Sequence, residues 1–302
     1  MALQTGTSPF GTLLTAMVTP FTAEGEVDYQ LAAALAVKLV DDGCDGLVVT
    51  GTTGETSTLT DEENLAMFRT VKEAVGDRAA IIAGTGTNDT KHSVSLSQRA
   101  AKLGVDGLLI VTPYYNKPSQ AGVQAHFEAI ASSTELPVMV YDIPGRSAIP
   151  IATETLIRLA DHPQIIALKD AKADFAATTR VLANTDLLVY SGDDGLTLPW
   201  MVAGAVGLVG VTTHVATKKF RALIDAAQSG DFQTARGLHF ELDPLVRGVM
   251  TRVQGAVAAK QILKWQGVLP NSVVRLPLVE PSGAEIAVIK ADLEEAGMEF
   301  SE

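Results

Sequence analysis

The sequence predicts an α/β fold, a (β/α)8 TIM barrel with a C-terminal helical extension. Eight short apolar runs alternate with helical patterns along the first three quarters of the chain. The runs are nearly continuous in apolar and β-branched residues, which is typical of parallel strands covered on both faces. Two segments, GCDGLVV (43–49) and GVDGLLI (104–110), repeat one pattern just before a strand, as stacked βα units do.

The strands are assigned to the apolar runs in order. They cover residues 12–21, 46–51, 79–85, 107–113, 137–144, 165–171, 187–193 and 207–213. The rival fold is an open doubly wound sheet. The Gly-x-Gly-x-x-Gly turn that often follows the first strand of such sheets is absent between residues 11 and 20, which favours the barrel.

The helices are assigned from their capping residues and periodicity. Asp28 is a typical N-cap and Gly43 a typical C-cap for the first helix, and the TDEE run from Thr60 is a capping box for the second. Further helices are expected near Thr90, Ser119, Thr153, Asp174 and Leu196 and after His214.

The pattern changes after the eighth strand. Residues 231–250, 253–266 and 283–297 have helical patterns with no further strands between them. We therefore predict a barrel over residues 1–225 and a helical extension over residues 226–302.

Composition excludes several classes of function. The formal net charge of −12 disfavours nucleic acid or an anionic membrane surface as a partner. Residues 195–217 carry no charge, but Pro199 and several glycines interrupt them, so a short helix and a buried strand are expected there instead of a membrane span. The single Cys44 and an N-terminal stretch that makes a poor signal peptide predict a cytoplasmic protein.

The active site of such a barrel lies at the carboxyl ends of the strands. Lys169 is the most informative residue there, because it stands on an apolar strand, whereas the other eleven lysines lie on helical or loop-like stretches where an ammonium is easily solvated. A buried lysine loses its proton more readily and becomes a nucleophile. An ion pair with Asp170, Asp193 or Asp194 is the equally weighted alternative.

Three further features, at the ends of the second and fifth strands, suit a carbonyl substrate. Tyr141 ends the strand before Lys169 and can shuttle protons, although a packed aromatic is the simpler interpretation. The GTTGE loop (51–55) offers backbone N–H groups and hydroxyls to a small carboxylate, although its signal is weak. Arg146 follows a Pro-Gly turn, where it is either a surface residue or a bidentate carboxylate clamp. No histidine pair has metal-ligand spacing, so no metal site is predicted.

These residues, in this order, resemble the pyruvate-dependent class I aldolase family, and within it the dihydrodipicolinate synthases. The resemblance extends over nearly the whole chain, and seven motifs at strand ends carry it. They are AMVTPF (16–21), GTTGE (51–55), GTGTN (84–88), TPYYNKP (112–118), YDIPGR (141–146), LKDA (168–171) and SGDD (191–194).

The resemblance implies a condensation of pyruvate with L-aspartate 4-semialdehyde, without metal or organic cofactor, in diaminopimelate and lysine biosynthesis. Lys169 would form the imine with pyruvate, and Tyr141, Thr52 and Tyr115 would form a proton relay. Thr53, the backbone near Val209, and Gly192 would surround pyruvate, and Arg146 would bind the semialdehyde carboxylate. A homotetramer built from two tight dimers is also implied, with Tyr115 reaching into a neighbouring subunit.

Two alternatives remain open at this point. One is a sister lyase that cleaves N-acetylneuraminate or a 2-keto-3-deoxy sugar acid through the same lysine; such lyases usually lack the arginine found at Arg146. The other is a non-catalytic barrel that serves as a binding protein, which the intact Lys169, Tyr141 and Thr52 disfavour.

The resemblance also implies a regulatory site for lysine at a subunit interface. Its residues here are Thr56, Ser57, Asp61, Asn64, Asn88, His92 and Tyr114. Asp61 and Asn64 replace histidines of the sensitive pattern, and His92 replaces a glutamate that faces the cationic end of lysine. A histidine does not supply that negative charge, so weak or no inhibition by lysine is predicted.

Overall fold

Eight parallel strands close into a barrel in the computed structural model, which describes residues 8–299. Each strand pairs with the next, and β8 pairs with β1. The strands are β1 (Leu13–Ala16), β2 (Gly46–Val49), β3 (Ala80–Gly84), β4 (Gly107–Val111), β5 (Val138–Asp142), β6 (Ile165–Asp170), β7 (Leu188–Ser191) and β8 (Gly207–Gly210). The predicted barrel is confirmed and the open sheet is wrong. Each predicted strand is present but shorter, because the residues after it turn into the loops at the barrel mouth.

Twelve helices in the described part of the chain surround and extend the barrel. They are α1 (Tyr29–Asp41), α2 (Asp61–Val75), α3 (Thr90–Ala101), α4 (Gln120–Ala131), α5 (Pro144–Ser147), α6 (Thr153–Leu159), α7 (Phe175–Asn184), α8 (Thr197–Ala203), α9 (Thr213–Gln228), α10 (Phe232–Met250), α11 (Gly255–Trp265) and α12 (Gly283–Glu295). Asp28 and Thr60 cap their helices as predicted, and Thr60 forms the capping box with Glu63. Helices also begin near Ser119 and Asp174 as predicted, and these two residues are the N-caps. The one-turn helix α5 was not predicted.

The repeated Gly-x-Asp-Gly pattern has a structural role at the amino-terminal end of the barrel. Asp45 Oδ2 accepts hydrogen bonds from the N–H groups of Thr12 at 2.7 Å and Leu13 at 2.9 Å, and Asp106 Oδ2 accepts one from Ile81 N at 2.8 Å. Each aspartate thus fixes the start of the preceding strand. A Cβ on Gly107 would lie 2.6 Å from the buried Phe10 ring, so this position needs glycine.

The uncharged segment 195–217 is confirmed as a short helix and a buried strand, α8 and β8. No helix within residues 8–299 is both long and apolar enough to span a membrane. The first seven residues of the predicted non-signal stretch, and residues 300–302 of the predicted extension, lie outside the described residues.

The C-terminal helices reach from the outside of the barrel to its mouth. Helix α10 packs against α9 and α12, and α11 contacts the 3₁₀ turn Thr52–Gly54 that follows β2. Every residue of α11 from Gly255 to Leu263 is buried. The extension therefore forms part of the wall behind the loop that follows β2.

Candidate active site

A cleft of about 960 Å³ opens at the carboxyl ends of β2, β3, β4 and β5. Its size suits small-molecule substrates. Four of the predicted catalytic and substrate-binding residues line it, namely Thr52, Tyr115, Tyr141 and Arg146.

Lys169 does not itself line this cleft, but it lies next to Tyr141, which does. The two residues are in register on the neighbouring strands β6 and β5, so their side chains point to the same side of the sheet. The Lys169 Nζ lies 4.4 Å from the centroid of the Tyr141 ring. The lysine is only 4% exposed, so its amine sits against the phenol in a nearly dry environment.

The geometry does not support the alternative role of Lys169, which is a structural ion pair with a neighbouring aspartate. Within residues 8–299, Lys169 forms no ion pair and no hydrogen bond through its amine. The neighbouring carboxylates are engaged elsewhere. Asp170 accepts from Lys172 N and from the Thr178 hydroxyl, and Asp194 accepts from Thr212 N at 2.6 Å and Val211 N at 3.0 Å.

Burial shifts the pKa values of both groups. It lowers the pKa of Lys169 to about 8; the Asp194 carboxylate opposes this shift and the Arg146 guanidinium adds to it. Burial raises the pKa of Tyr141 to about 12. At neutral pH the site therefore holds a lysine with an accessible neutral form beside a phenol that keeps its proton.

Arg146 is presented to the cleft by the one-turn helix α5. Pro144 begins this helix, and the Ser147 hydroxyl donates to the carbonyl groups of Ile143 at 3.0 Å and Ile149 at 2.8 Å, which locks the turn. The arginine is exposed and forms no ion pair within the described part of the chain. Its guanidinium is therefore free for a carboxylate ligand.

Tyr115 has a strained backbone that directs its side chain outward. Its φ is 73°, and Asn116 N donates to Tyr114 O at 2.9 Å, which makes Tyr115 the central residue of a γ-turn with positive φ. A non-glycine residue in this region is strained, and such strain is often found at functional sites. The ring is 87% exposed. In the described chain it does not hydrogen-bond to Tyr141 or Thr52.

The remaining predicted substrate residues lie around the strand ends without lining the cleft. Thr53 is buried in the 3₁₀ turn after β2, and Val209 is buried in β8. Gly192 N donates to Asp170 O at 2.7 Å, and a Cβ on Gly192 would lie 3.0 Å from that oxygen. Glycine thus fits the close approach of β6 and β7 without displacing the neighbouring backbone.

The predicted lysine-site residues fall into two groups, three that line the cleft and four that do not. Thr56, Ser57 and Tyr114 line the cleft, and the Thr56 hydroxyl donates to Asn64 Oδ1 at 3.2 Å. Asn88 O accepts from Asn116 Nδ2 at 2.8 Å. The Asp61 carboxylate contacts two partners: Oδ1 lies 2.8 Å from His92 Nε2, and Oδ2 lies 3.2 Å from the Arg99 guanidinium.

One expectation about the lysines is wrong. Lys260, on helix α11, is 1% exposed and more deeply buried than Lys169. Helical periodicity cannot reveal this burial, because α11 is enclosed on all sides and the charge is neutralised by Glu55, 205 residues away in sequence. The sequence also did not predict that the Asp194 carboxylate holds the end of β8 by accepting hydrogen bonds from Val211 N and Thr212 N.

Known proteins resemble this chain over nearly its full length. The model of the Dihydrodipicolinate synthetase family matches residues 9–296. A 4-hydroxy-tetrahydrodipicolinate synthase of Kineococcus radiotolerans is 54% identical over 290 residues, which cover 96% of this chain and 94% of that relative.

Solved structures agree. A dihydrodipicolinate synthase of Bacillus anthracis superposes with a TM-score of 0.91 at 42% identity, covering 94% of this chain and 98% of the other. The enzyme of Cyanidioschyzon merolae, solved with lysine bound, gives a TM-score of 0.93 at 39% identity, covering 96% and 99%. By sequence and by structure, this chain belongs to the dihydrodipicolinate synthetase family.

Proposed function

We propose that the chain condenses pyruvate with L-aspartate 4-semialdehyde to 4-hydroxy-tetrahydrodipicolinate, the first committed step of diaminopimelate and lysine biosynthesis. Relatives more than 50% identical carry the name of this activity. The observation that carries the proposal is the nearly dry Lys169 amine, 4.4 Å from the centroid of the Tyr141 ring, which lines the cleft.

The chemistry begins with the neutral Lys169 amine, which attacks the keto carbon of pyruvate. Loss of water gives an imine, and its protonated form withdraws electrons from the methyl group, which then loses a proton to form an enamine. The enamine carbon attacks the aldehyde carbon, and the new alkoxide takes up a proton. The amino group of the former semialdehyde then attacks the imine carbon and displaces Lys169, which closes the ring and frees the enzyme.

Tyr141 is the proposed donor and acceptor of protons beside this carbon. Its raised pKa of about 12 keeps it protonated before the reaction, and the centroid of its ring lies 4.4 Å from the Lys169 amine. Thr52 and Tyr115 complete the proposed relay. Thr52 lines the same cleft, but Tyr115 projects into solvent, which supports a relay that is completed by Tyr115 of a second copy.

Each substrate carboxylate has a proposed partner. The turn with Thr53 and the backbone near Val209 would hold the pyruvate carboxylate, with Gly192 allowing close approach. Arg146, exposed at the cleft and free of intrachain ion pairs within residues 8–299, would clamp the carboxylate of the semialdehyde. The substrates of the sister lyases carry hydroxyl groups in this region where the semialdehyde carries a carboxylate, so they would not need the Arg146 guanidinium.

A homotetramer built as a dimer of dimers is the proposed assembly. Two separate exposed apolar surfaces support it. One is the exposed ring of Tyr115. The other includes Val202, which is 63% exposed, and Phe175, which is 38% exposed. The Phe175 ring stacks on Trp200, with 3.9 Å between the ring centroids. The proposed compartment is the cytoplasm, which suits a free, buried Cys44 whose pKa burial raises to about 11.

The proposed lysine site is degenerate. One relative was solved with lysine bound. Here the only carboxylate among the seven predicted residues, Asp61, is already paired with His92 and Arg99, so a ligand ammonium would have to compete with a guanidinium for it.

The test of the proposed function is a condensation assay with pyruvate and aspartate semialdehyde, coupled to a reductase that consumes the product. Turnover of this pair, with N-acetylneuraminate cleaved much more slowly, is the expected result. Faster cleavage of N-acetylneuraminate or of a 2-keto-3-deoxy sugar acid would replace the proposal with the sister lyase.

A further inference from the structure

A buried ion pair joins the loop after β2 to the C-terminal extension. Lys260 Nζ on helix α11 donates to Glu55 Oε1 at 2.5 Å, and both side chains are 1% exposed. The two residues are 205 positions apart in sequence, so the pair ties together parts of the chain that meet only in the folded barrel.

The remaining polar atoms of this pair are also satisfied. Glu55 Oε2 accepts from Arg275 N at 2.9 Å, and Lys260 Nζ also donates to Val273 O at 2.9 Å. The ammonium lies 4.0 Å from the centroid of the Phe21 ring, which belongs to the loop after β1. A buried charge pair with its hydrogen bonds filled has one favourable geometry, so the Glu55 side chain is held at a defined position.

The backbone of Glu55 transmits that position to the turn with Thr52 and Thr53. Glu55 has a φ of 57°, the left-handed conformation, and it ends the 3₁₀ turn Thr52–Gly54. Its N–H donates to Thr52 O at 3.1 Å, and its carbonyl accepts from Thr58 N at 2.9 Å. A non-glycine residue keeps such a conformation only when its surroundings enforce it, and here the buried carboxylate does so.

We infer that Glu55 and Lys260 are positioning residues for pyruvate: through this buried pair the C-terminal extension holds the Thr52–Thr53 turn in the geometry that binds the pyruvate carboxylate. The inference rests on the proposed function, which places that carboxylate at this turn. It gives the extension a role in substrate binding in addition to packing.

The first experiment measures how much pyruvate is needed for half-maximal trapping of the Lys169 imine by borohydride. In Lys260→Met the half-saturating pyruvate concentration should rise by about tenfold or more, because the turn loses its anchor, while trapping at saturating pyruvate still gives one adduct per chain. The KM for aspartate semialdehyde should stay within about twofold of the wild-type value.

A matched control separates positioning from general stability. In the same extension, Arg252, which follows α10, pairs through Nε with Asp292 Oδ2 on α12 at 2.6 Å, and within residues 8–299 it forms no hydrogen bond or ion pair with the loops after β1 and β2. Arg252→Gln should lower the melting temperature without changing the pyruvate dependence.

A double variant keeps the test decisive if Lys260→Met does not fold. Glu55→Gln with Lys260→Met leaves no uncompensated charge, and replacing a whole buried pair is often neutral for stability. We expect its melting temperature to return towards the wild-type value while the pyruvate requirement stays high. A folded variant with a pyruvate requirement within about twofold of wild type would overturn the inference. Failure of the proposed function is distinguishable, because the wild-type protein itself would then give no condensation or no trapped adduct.

Discussion

The Lys169 Nζ lies 4.4 Å from the centroid of the Tyr141 ring, with the two residues in register on adjacent strands. This relationship places the proposed nucleophile and the proposed proton donor side by side on two strands, without help from a flexible loop. Strands hold such pairs more tightly than loops, which suits a reaction with several proton transfers at one centre.

The rate of imine formation should rise with pH, reach half of its maximum near pH 8 and level off roughly one pH unit higher, since only the neutral amine attacks pyruvate. With a pKa of about 8, about one Lys169 in ten is neutral at pH 7, compared with fewer than about one in a thousand for an ordinary lysine. The measurement is the initial rate of borohydride trapping with pyruvate between pH 6 and pH 9.5.

Two variants should move this profile in opposite directions. The Asp194 carboxylate raises the pKa of Lys169, so Asp194→Asn should shift the inflection to lower pH; Arg146 lowers that pKa, so Arg146→Ala should shift it to higher pH. Asp193→Asn, at the neighbouring exposed position, is the control and should leave the profile in place. Shifts of the opposite sign would contradict the electrostatic account.

Measured on the high-pH plateau, where Lys169 is neutral in both proteins, Arg146→Ala should weaken the use of aspartate semialdehyde while pyruvate trapping stays nearly intact. Loss of a charge-assisted bidentate contact costs ~1.5–3 kcal/mol, or roughly ten- to over a hundredfold in kcat/KM. Arg146→Lys keeps the charge but not the paired donors, so an intermediate value is expected. Steady-state kinetics with each substrate varied in turn checks this, and an equal loss for both substrates would argue against a specific clamp.

Tyr115 should act across a subunit interface. Equal mixing of inactive Tyr115→Phe and Lys169→Ala chains should restore about a quarter of the wild-type activity, because half of the dimers are hybrid and one of their two sites has both groups intact. If Tyr115 instead served its own subunit, no site in the mixture would be complete. Native mass spectrometry confirms the exchange, and absence of activity after confirmed exchange contradicts the shared site.

Lysine should inhibit weakly or not at all. Asp61 is already paired with His92 and Arg99, and the site lacks the glutamate of the sensitive pattern. Loss of a charge partner for a desolvated ammonium costs ~2–5 kcal/mol, which weakens binding more than tenfold. A titration of initial rates with lysine at saturating pyruvate checks this, and half-inhibition at submillimolar lysine would show that the charge argument is wrong.

Local pattern was enough to predict the barrel, because each strand is a continuous apolar run and helix caps such as Asp28 and Thr60 act on neighbouring backbone. The division of the chain at residue 225 stays a prediction, as do the roles assigned to the site residues. Helix α5 was missed because a single turn is too short to show periodicity, although its Pro144 is a typical first residue.

Contacts distant in sequence could not be predicted in this way. The burial of Lys260 depends on Glu55 and on the segment near Val273, and no pattern within α11 indicates either partner. The strain at Tyr115 likewise depends on a turn geometry that its sequence neighbours do not require. Such features arise where function or long-range packing overrides local preference.

Covalent trapping tests the central claim most directly. The protein is incubated with pyruvate, reduced with borohydride, digested, and the modified peptide is located by mass spectrometry, with Lys169→Ala and Lys260→Met treated in parallel. The account predicts one reduced pyruvate adduct per chain, on Lys169, absent from Lys169→Ala and present in Lys260→Met at saturating pyruvate. An adduct on any other lysine, or none on the wild-type protein, would contradict it.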